Sequence, residues 1–151
     1  MSTIVYDRDW IVSDTGMTCC RANRCDKLVQ LDGPLFQAAG GCGSANTVMA
    51  FIEWCIRVNK AGERKHFPPI IMDDENSELV AVNMAGELEL YQQYWRRPIS
   101  QGSHPIAFGS GDQYALGAMK AGVSARKALR IAMELDAHTF GKAIEIKISK
   151  N

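Results

Sequence analysis

A chain of 151 residues, 46% of them hydrophobic and undivided by any linker or composition break, suits one globular domain spanning residues 1–151. Lysine plus arginine and aspartate plus glutamate both number 17, and a formal net charge of zero argues against a dedicated nucleic-acid binder, which shows a basic excess or stripe. No charged leader with an apolar stretch opens the sequence and no run is long enough to span a bilayer, so no membrane contact and a cytoplasmic location are expected.

The first element is a short apolar strand, Thr3–Tyr6, directly behind Met1 and Ser2. If Met1 is removed, Ser2 carries an alcohol and a free α-amine on one residue. A nucleophile is then paired with its own general base, since an unperturbed α-amine has a pKa of about 7.7–8.0. The plainer reading is an ordinary first strand with an unstructured end. Asp7-Arg8-Asp9 is a charged turn, and residues 10–13 return as the second strand of a hairpin ending at Asp14. Thr15-Gly16-Met17-Thr18 and the cluster Cys19, Cys20, Cys25 read as a loop. With Cys42 and Cys55 the cysteines number 5. An odd count lacking a Cys-x-x-Cys pair, far from His66, His104 and His138, fits free thiols better than disulfides or a metal site. No metal and no cofactor is expected.

Residues 27–31 alternate as a strand, Asp32-Gly33-Pro34 turns, and residues 35–39 make a fourth strand running into Gly40-Gly41-Cys42-Gly43. A helix follows, capped by Ser44 or Asn46, with Val48, Phe51, Ile52, Cys55 and Ile56 on one buried face. Residues 59–66 read as a charged loop, and Pro68-Pro69 forbids helix there. Strands are expected at 69–72, 79–82, 88–91 and 106–108, with turns at 73–77 and 84–86. Gly109-Ser110-Gly111 leads to a small-residue helix from Asp112 to Met119, closed by Gly122. Ser124 opens another helix, with Ala128, Ile131, Ala132 and Leu135 on one face. The last strand alternates Ile144, Ile146 and Ile148 with Glu145 and Lys147. Four strands, a helix, four strands, two helices and a strand predict an α+β fold, two stacked antiparallel sheets between helices.

Several segments, in this order and at these spacings, resemble the proteasome β-type, HslV-like family of N-terminal-nucleophile (Ntn) hydrolases. They are Ser2-Thr3-Ile4-Val5, Ser13-Asp14, Lys27-Leu28-Val29, Gly41-Cys42-Gly43-Ser44-Ala45-Asn46, the Ile106 to Gly111 run with Tyr114-Ala115, and Asp136-Ala137-His138-Thr139. The resemblance covers nearly the whole chain. It implies a four-layer αββα sandwich and peptide-bond hydrolysis inside a self-assembled homo-oligomer, a ring or double ring, served by an AAA+ ATPase regulator and taking polypeptide substrates. The family's nucleophilic threonine falls on Ser2. Its lysine falls on Lys27, whose positive charge would lower the amine's pKa. The aspartate paired with that lysine falls on Asp14, at the end of the neighbouring strand. Ser110 matches the serine that hydrogen-bonds the terminal amine, and Asp136 and Thr139 match its late supports, with Thr in place of Ser. A backbone amide at Cys42 or Gly43, before the first helix, would hold the oxyanion. Thr18, with Met17 beside it, matches the loop that pairs with the substrate as an added strand. Read without the resemblance, Asp14 and Lys27 are a structural ion pair and Gly109-Ser110-Gly111 a strand-to-helix turn.

Three departures qualify these implications. Ser stands for Thr as nucleophile. The family's second long helix has no room in residues 59–67, so one outer helix is missing, and the face it leaves bare is expected to be apolar and to pack on another subunit. Lastly, a retained Met1 would lock the Ser2 nitrogen in a peptide bond. The alternative function is therefore a catalytically inactive proteasome-fold binding or structural protein, a decoy or inhibitor with Met1 retained.

Overall fold

A computed structural model describes residues 2–16, 26–65, 76–91, 99–102 and 104–150. The expected strands at 69–72, the start of the turn at 73–77, and the residues Met1, Met17, Thr18, Cys19, Cys20, Cys25 and His66 lie outside the described residues. In chain order the elements are β1 (Thr3–Tyr6), β2 (Trp10–Asp14), β3 (Leu28–Gln30), β4 (Phe36–Cys42), α1 (Ala45–Ala61), β5 (Glu78–Asn83), β6 (Leu88–Tyr91), β7 (Ile99–Gly102), β8 (Ile106–Gly109), α2 (Asp112–Lys120), α3 (Ala125–Leu135) and β9 (Ala143–Lys147).

Two antiparallel sheets form, ordered β8-β1-β2-β9 and β3-β4-β5-β6-β7. Alternation along each strand sends one set of side chains between the sheets and the other set under the helices. Ile4, Tyr6, Ile11, Leu28, Val80, Val82, Leu88 and Ile146 fill the space between the sheets. Val5 and Val12, on the opposite face of the same strands, meet Ala115, Ala125, Ala128, Leu129 and Ala132 of α2 and α3. Alanine at these helix positions lets the backbone settle close to β1 and β2. On the far side, Phe36, Ala39, Leu79, Ala81 and Tyr91 pack under Val48, Phe51, Ile52, Trp54 and Cys55 of α1. The result is the predicted αββα sandwich, and each fully buried Ile, Leu or Val contributes about 1.5–3 kcal/mol over exposure.

The β1–β2 hairpin turns where expected. Asp7 Oδ1 takes the amides of Asp9 (3.1 Å) and Trp10 (2.9 Å). Its other oxygen accepts from Ala125 N–H at 2.6 Å, placing a carboxylate at the start of α3.

Three local expectations need correction. Ile56 faces solvent at 46% exposure, and Trp54 and Val58 take the buried face with its neighbours. On α3, Leu135 is exposed and Ile131 half-buried, with Leu129 in the core instead. Helix α1 runs on through Asn59 to Ala61, then Gly62 at φ 69° returns its N–H to Asn59 O and Glu63 N–H reaches Val58 O. Asn59 stays helical because its side chain is employed: Oδ1 accepts from Leu35 and Phe36 N–H at 2.9 Å each and Nδ2 donates to Phe36 O at 3.2 Å. On the α1 side of β6, Glu89 is buried, paired with Arg64 at 2.8 Å and accepting the Tyr91 hydroxyl at 3.0 Å. Among the described residues α1 is the helix on that side, and no helix is long and apolar enough to cross a membrane.

Candidate active site

Strand ends from both sheets converge at one end of the sandwich. β1 lies inside its sheet, paired with β2 (Ile4 opposite Ser13) and with β8 (Thr3 opposite Gly109). Ser2 at its start is 1% exposed. Lys27 precedes β3 in the other sheet and is also buried, and its Nζ donates to Ser2 Oγ and to Gly16 O. Successive residues of a strand point to opposite faces, so Thr3 Oγ1 turns away from Lys27. It meets Thr139 Oγ1 at 2.7 Å and accepts from Gly111 N–H at 2.8 Å. Of the first two hydroxyls, Ser2 is the one on the lysine side.

Asp14 closes the other half of this arrangement. It is fully buried, and its carboxylate accepts from the backbone N–H groups of Thr3 (2.8 Å), Phe140 (3.1 Å) and Gly16 (3.3 Å). Burial pushes its carboxyl above the ordinary range, opposed by the Thr3 N–H, the charge of Lys27 and the other two amides. β2 and β3 belong to different sheets, which corrects the expectation of neighbouring strands. Asp14 and Lys27 are linked through Gly16, whose N–H goes to one and whose carbonyl goes to the other.

Asp136, Thr139 and Ser110 lie together beside the start of β1, where Ser110 meets the Ser2 carbonyl. Thr139 Oγ1 donates to Asp136 Oδ2 at 2.5 Å, Ser110 Oγ lies 3.4 Å from Thr139 Oγ1, and Ser110 N–H donates to the Ser2 carbonyl at 3.2 Å. Partial burial pushes Asp136 upward, but hydrogen bonds from Ser110, Thr139 and His138 N–H and the charge of His138 outweigh it, leaving the carboxyl below its ordinary 3.8. A lowered carboxyl contributes stability above its unfolded pKa and loses it as pH falls through the folded value. Urea midpoints of the wild type and Asp136→Asn should therefore differ most above about pH 4 and converge toward pH 2. A gap that stays constant over that range would show that the ionised carboxylate is not what holds the network.

Cys42 ends β4 opposite Glu78, and its thiol donates to Phe108 O of the other sheet at 3.6 Å. Burial pushes that thiol well above its ordinary range. Its side chain therefore ties the two sheets together beneath Ser2. Gly43 follows at φ 118°, where a Cβ would stand 2.4 Å from Ser77 Oγ. Glu78 accepts from Gly109 N–H, and burial with the nearby Asp112 charge pushes it up against that bond. Cys42 and Cys55 are free thiols, and no cluster able to hold a metal occurs among the described residues. Gly16, Phe140 and Glu78 escaped the sequence reading. Gly16 alone had a signal, its place two residues after Asp14.

Over 98% of its length the chain superposes on eukaryotic HslV from Trypanosoma brucei with a TM-score of 0.65 and 18% identity, covering 98% of that chain. The fold is that of HslV. BPH from Thiobacillus denitrificans, solved in complex with epoxomicin, gives a TM-score of 0.64 at 17% identity, covering 99% of this chain and 98% of that one. BPH alone gives 0.60 with the same identity and coverage. No protein-family model matches the sequence, and no curated protein does. The HslV-type fold thus sets the path of the backbone, and the chemistry rests on this chain's own side chains.

Proposed function

We propose that this protein is an HslV-like peptidase whose nucleophile is the N-terminal Ser2 exposed by removal of Met1. The observation that carries this reading is the Lys27 Nζ hydrogen bond to Ser2 Oγ inside a buried, fully hydrogen-bonded site. Ser2 Oγ attacks a peptide carbonyl and gives its proton to the Ser2 α-amine. A tetrahedral oxyanion forms, faced by a backbone amide at Cys42 or Gly43. Collapse breaks the C–N bond, the amine's proton leaves with the departing peptide amine, and an ester on Ser2 remains. Water then hydrolyses that ester, with the α-amine again taking the proton. Lys27 holds the hydroxyl and supplies positive charge, Asp14 fixes the loop that orients Lys27, and Ser110, Asp136 and Thr139 hold the strand start.

The same reading places the enzyme in a homo-oligomeric ring acting on polypeptides in the cytoplasm, with Thr18 and Met17 on the substrate and an AAA+ ATPase as regulator. Processing decides it. The protein purified from its natural host should have the intact mass of a chain lacking Met1 and should gain the mass of one epoxomicin on Ser2. A retained Met1 with no labelling would leave the decoy or structural role.

A further inference from the structure

Phe140 is an apolar side chain left 40% exposed directly after Thr139. Its ring lies against Gly16 so closely that a Cβ on Gly16 would stand 2.7 Å from Cγ and Cδ1 of the ring and from the Phe140 carbonyl oxygen. Its N–H donates to Asp14 Oδ2 at 3.1 Å, the oxygen that also takes Gly16 N–H. The next residues continue the contact. Lys142 N–H donates to Thr15 Oγ1 at 2.8 Å, and Gly141, at φ 94°, passes so near that a Cβ there would be 2.6 Å from Thr15 Oγ1. Residues 140–142 thus dock on residues 14–16, and Gly16 supplies the carbonyl that takes Lys27 Nζ.

We propose that Phe140 is a positioning residue for Lys27: its ring holds Gly16 in place, so that the Gly16 carbonyl keeps Lys27 Nζ aimed at Ser2 Oγ. A lysine side chain gives up its rotamer freedom when it is fixed, and the Gly16 carbonyl is the second acceptor, beside Ser2 Oγ, that holds Lys27 Nζ. Glycine has the widest backbone freedom of any residue, and Gly16 lacks a side chain to anchor itself. The ring is the wall that substitutes for one.

The catalytic consequence rests on the proposed peptidase reading, whereas the placement of Lys27 can be measured without it. Native-state acylation with an amine-reactive ester, read by peptide mass spectrometry, reports how accessible each lysine is. Lys27 should be protected in the wild type, several-fold more reactive in Phe140→Ala, and protected again in Phe140→Leu, with Lys60 unchanged throughout. In the same variants kcat should fall on the order of tenfold in Phe140→Ala, with KM nearly constant, because a small misplacement of a catalytic group is costly. Equal Lys27 protection in wild type and Phe140→Ala overturns the inference. So does a general rise across all lysines, which marks a loosened fold. Selective exposure of Lys27 in a protein whose Ser2 never labels supports the placement and removes the peptidase reading instead.

Discussion

Ser2→Ala should abolish both peptide hydrolysis and epoxomicin labelling, and Lys27→Ala should lower the rate by about 10²–10⁴-fold. The asymmetry follows from the geometry. Ser2 Oγ is the hydroxyl that Lys27 contacts, so removing it removes the atom that would form the ester. Removing Lys27 leaves the nucleophile and its own amine in place but takes away the charge and donor that orient them. Thr3 is no substitute, since its hydroxyl is committed to Thr139 and Gly111 on the other face of the strand. Assays with a fluorogenic peptide and intact-mass labelling decide the matter. Turnover that survives Ser2→Ala would move the nucleophile elsewhere and end the present assignment.

Gly109→Ala should disable the site as thoroughly, through the backbone alone. Gly109 pairs beside the start of β1 at φ 97°, a conformation that costs an L-residue of order 1–3 kcal/mol. Its Cβ would stand 1.7 Å from the Ser2 carbonyl oxygen and 3.1 Å from Cys42 Sγ. Backbone cannot yield as a flexible side chain can, so Ser2 must shift away from Lys27. Labelling of Ser2 should disappear and the urea midpoint should fall. Gly117→Ala is the control: that glycine sits exposed in α2 with nothing within 4 Å of a Cβ, and the change should stabilise by about 0.5–1 kcal/mol without touching activity. Wild-type labelling in Gly109→Ala would mean that Ser2 does not depend on this close approach.

Not every element was equally legible. The alternating isoleucines of β9 and the charged turn between β1 and β2 announce themselves because each is a local pattern with a local cause. β7 escaped because Ile99-Ser100-Gln101-Gly102 has no hydrophobic alternation; it is a strand because β6 offers it backbone partners. Asn59 to Ala61 looked like loop because polar residues dominate there, yet Asn59 is buried and caps the turn before β4.

The candidate site divides along the same line. Sequence alone offered a hydroxyl behind Met1, and the resemblance to the HslV-like family added an aspartate ending the second strand, a lysine opening the third, and a late Asp-x-x-Thr. Those matches hang on short segments and their order along the chain, which are local. Tertiary structure alone decided that Lys27 comes from the opposite sheet, that Ser2 rather than Thr3 faces it, and that Gly16 carries the link from Asp14. It alone also brought Phe140 against Gly16, a pair separated by most of the chain. Such contacts depend on how two sheets stack and in what register, and stacking is settled by the summed burial of the whole core, to which no single segment holds the key.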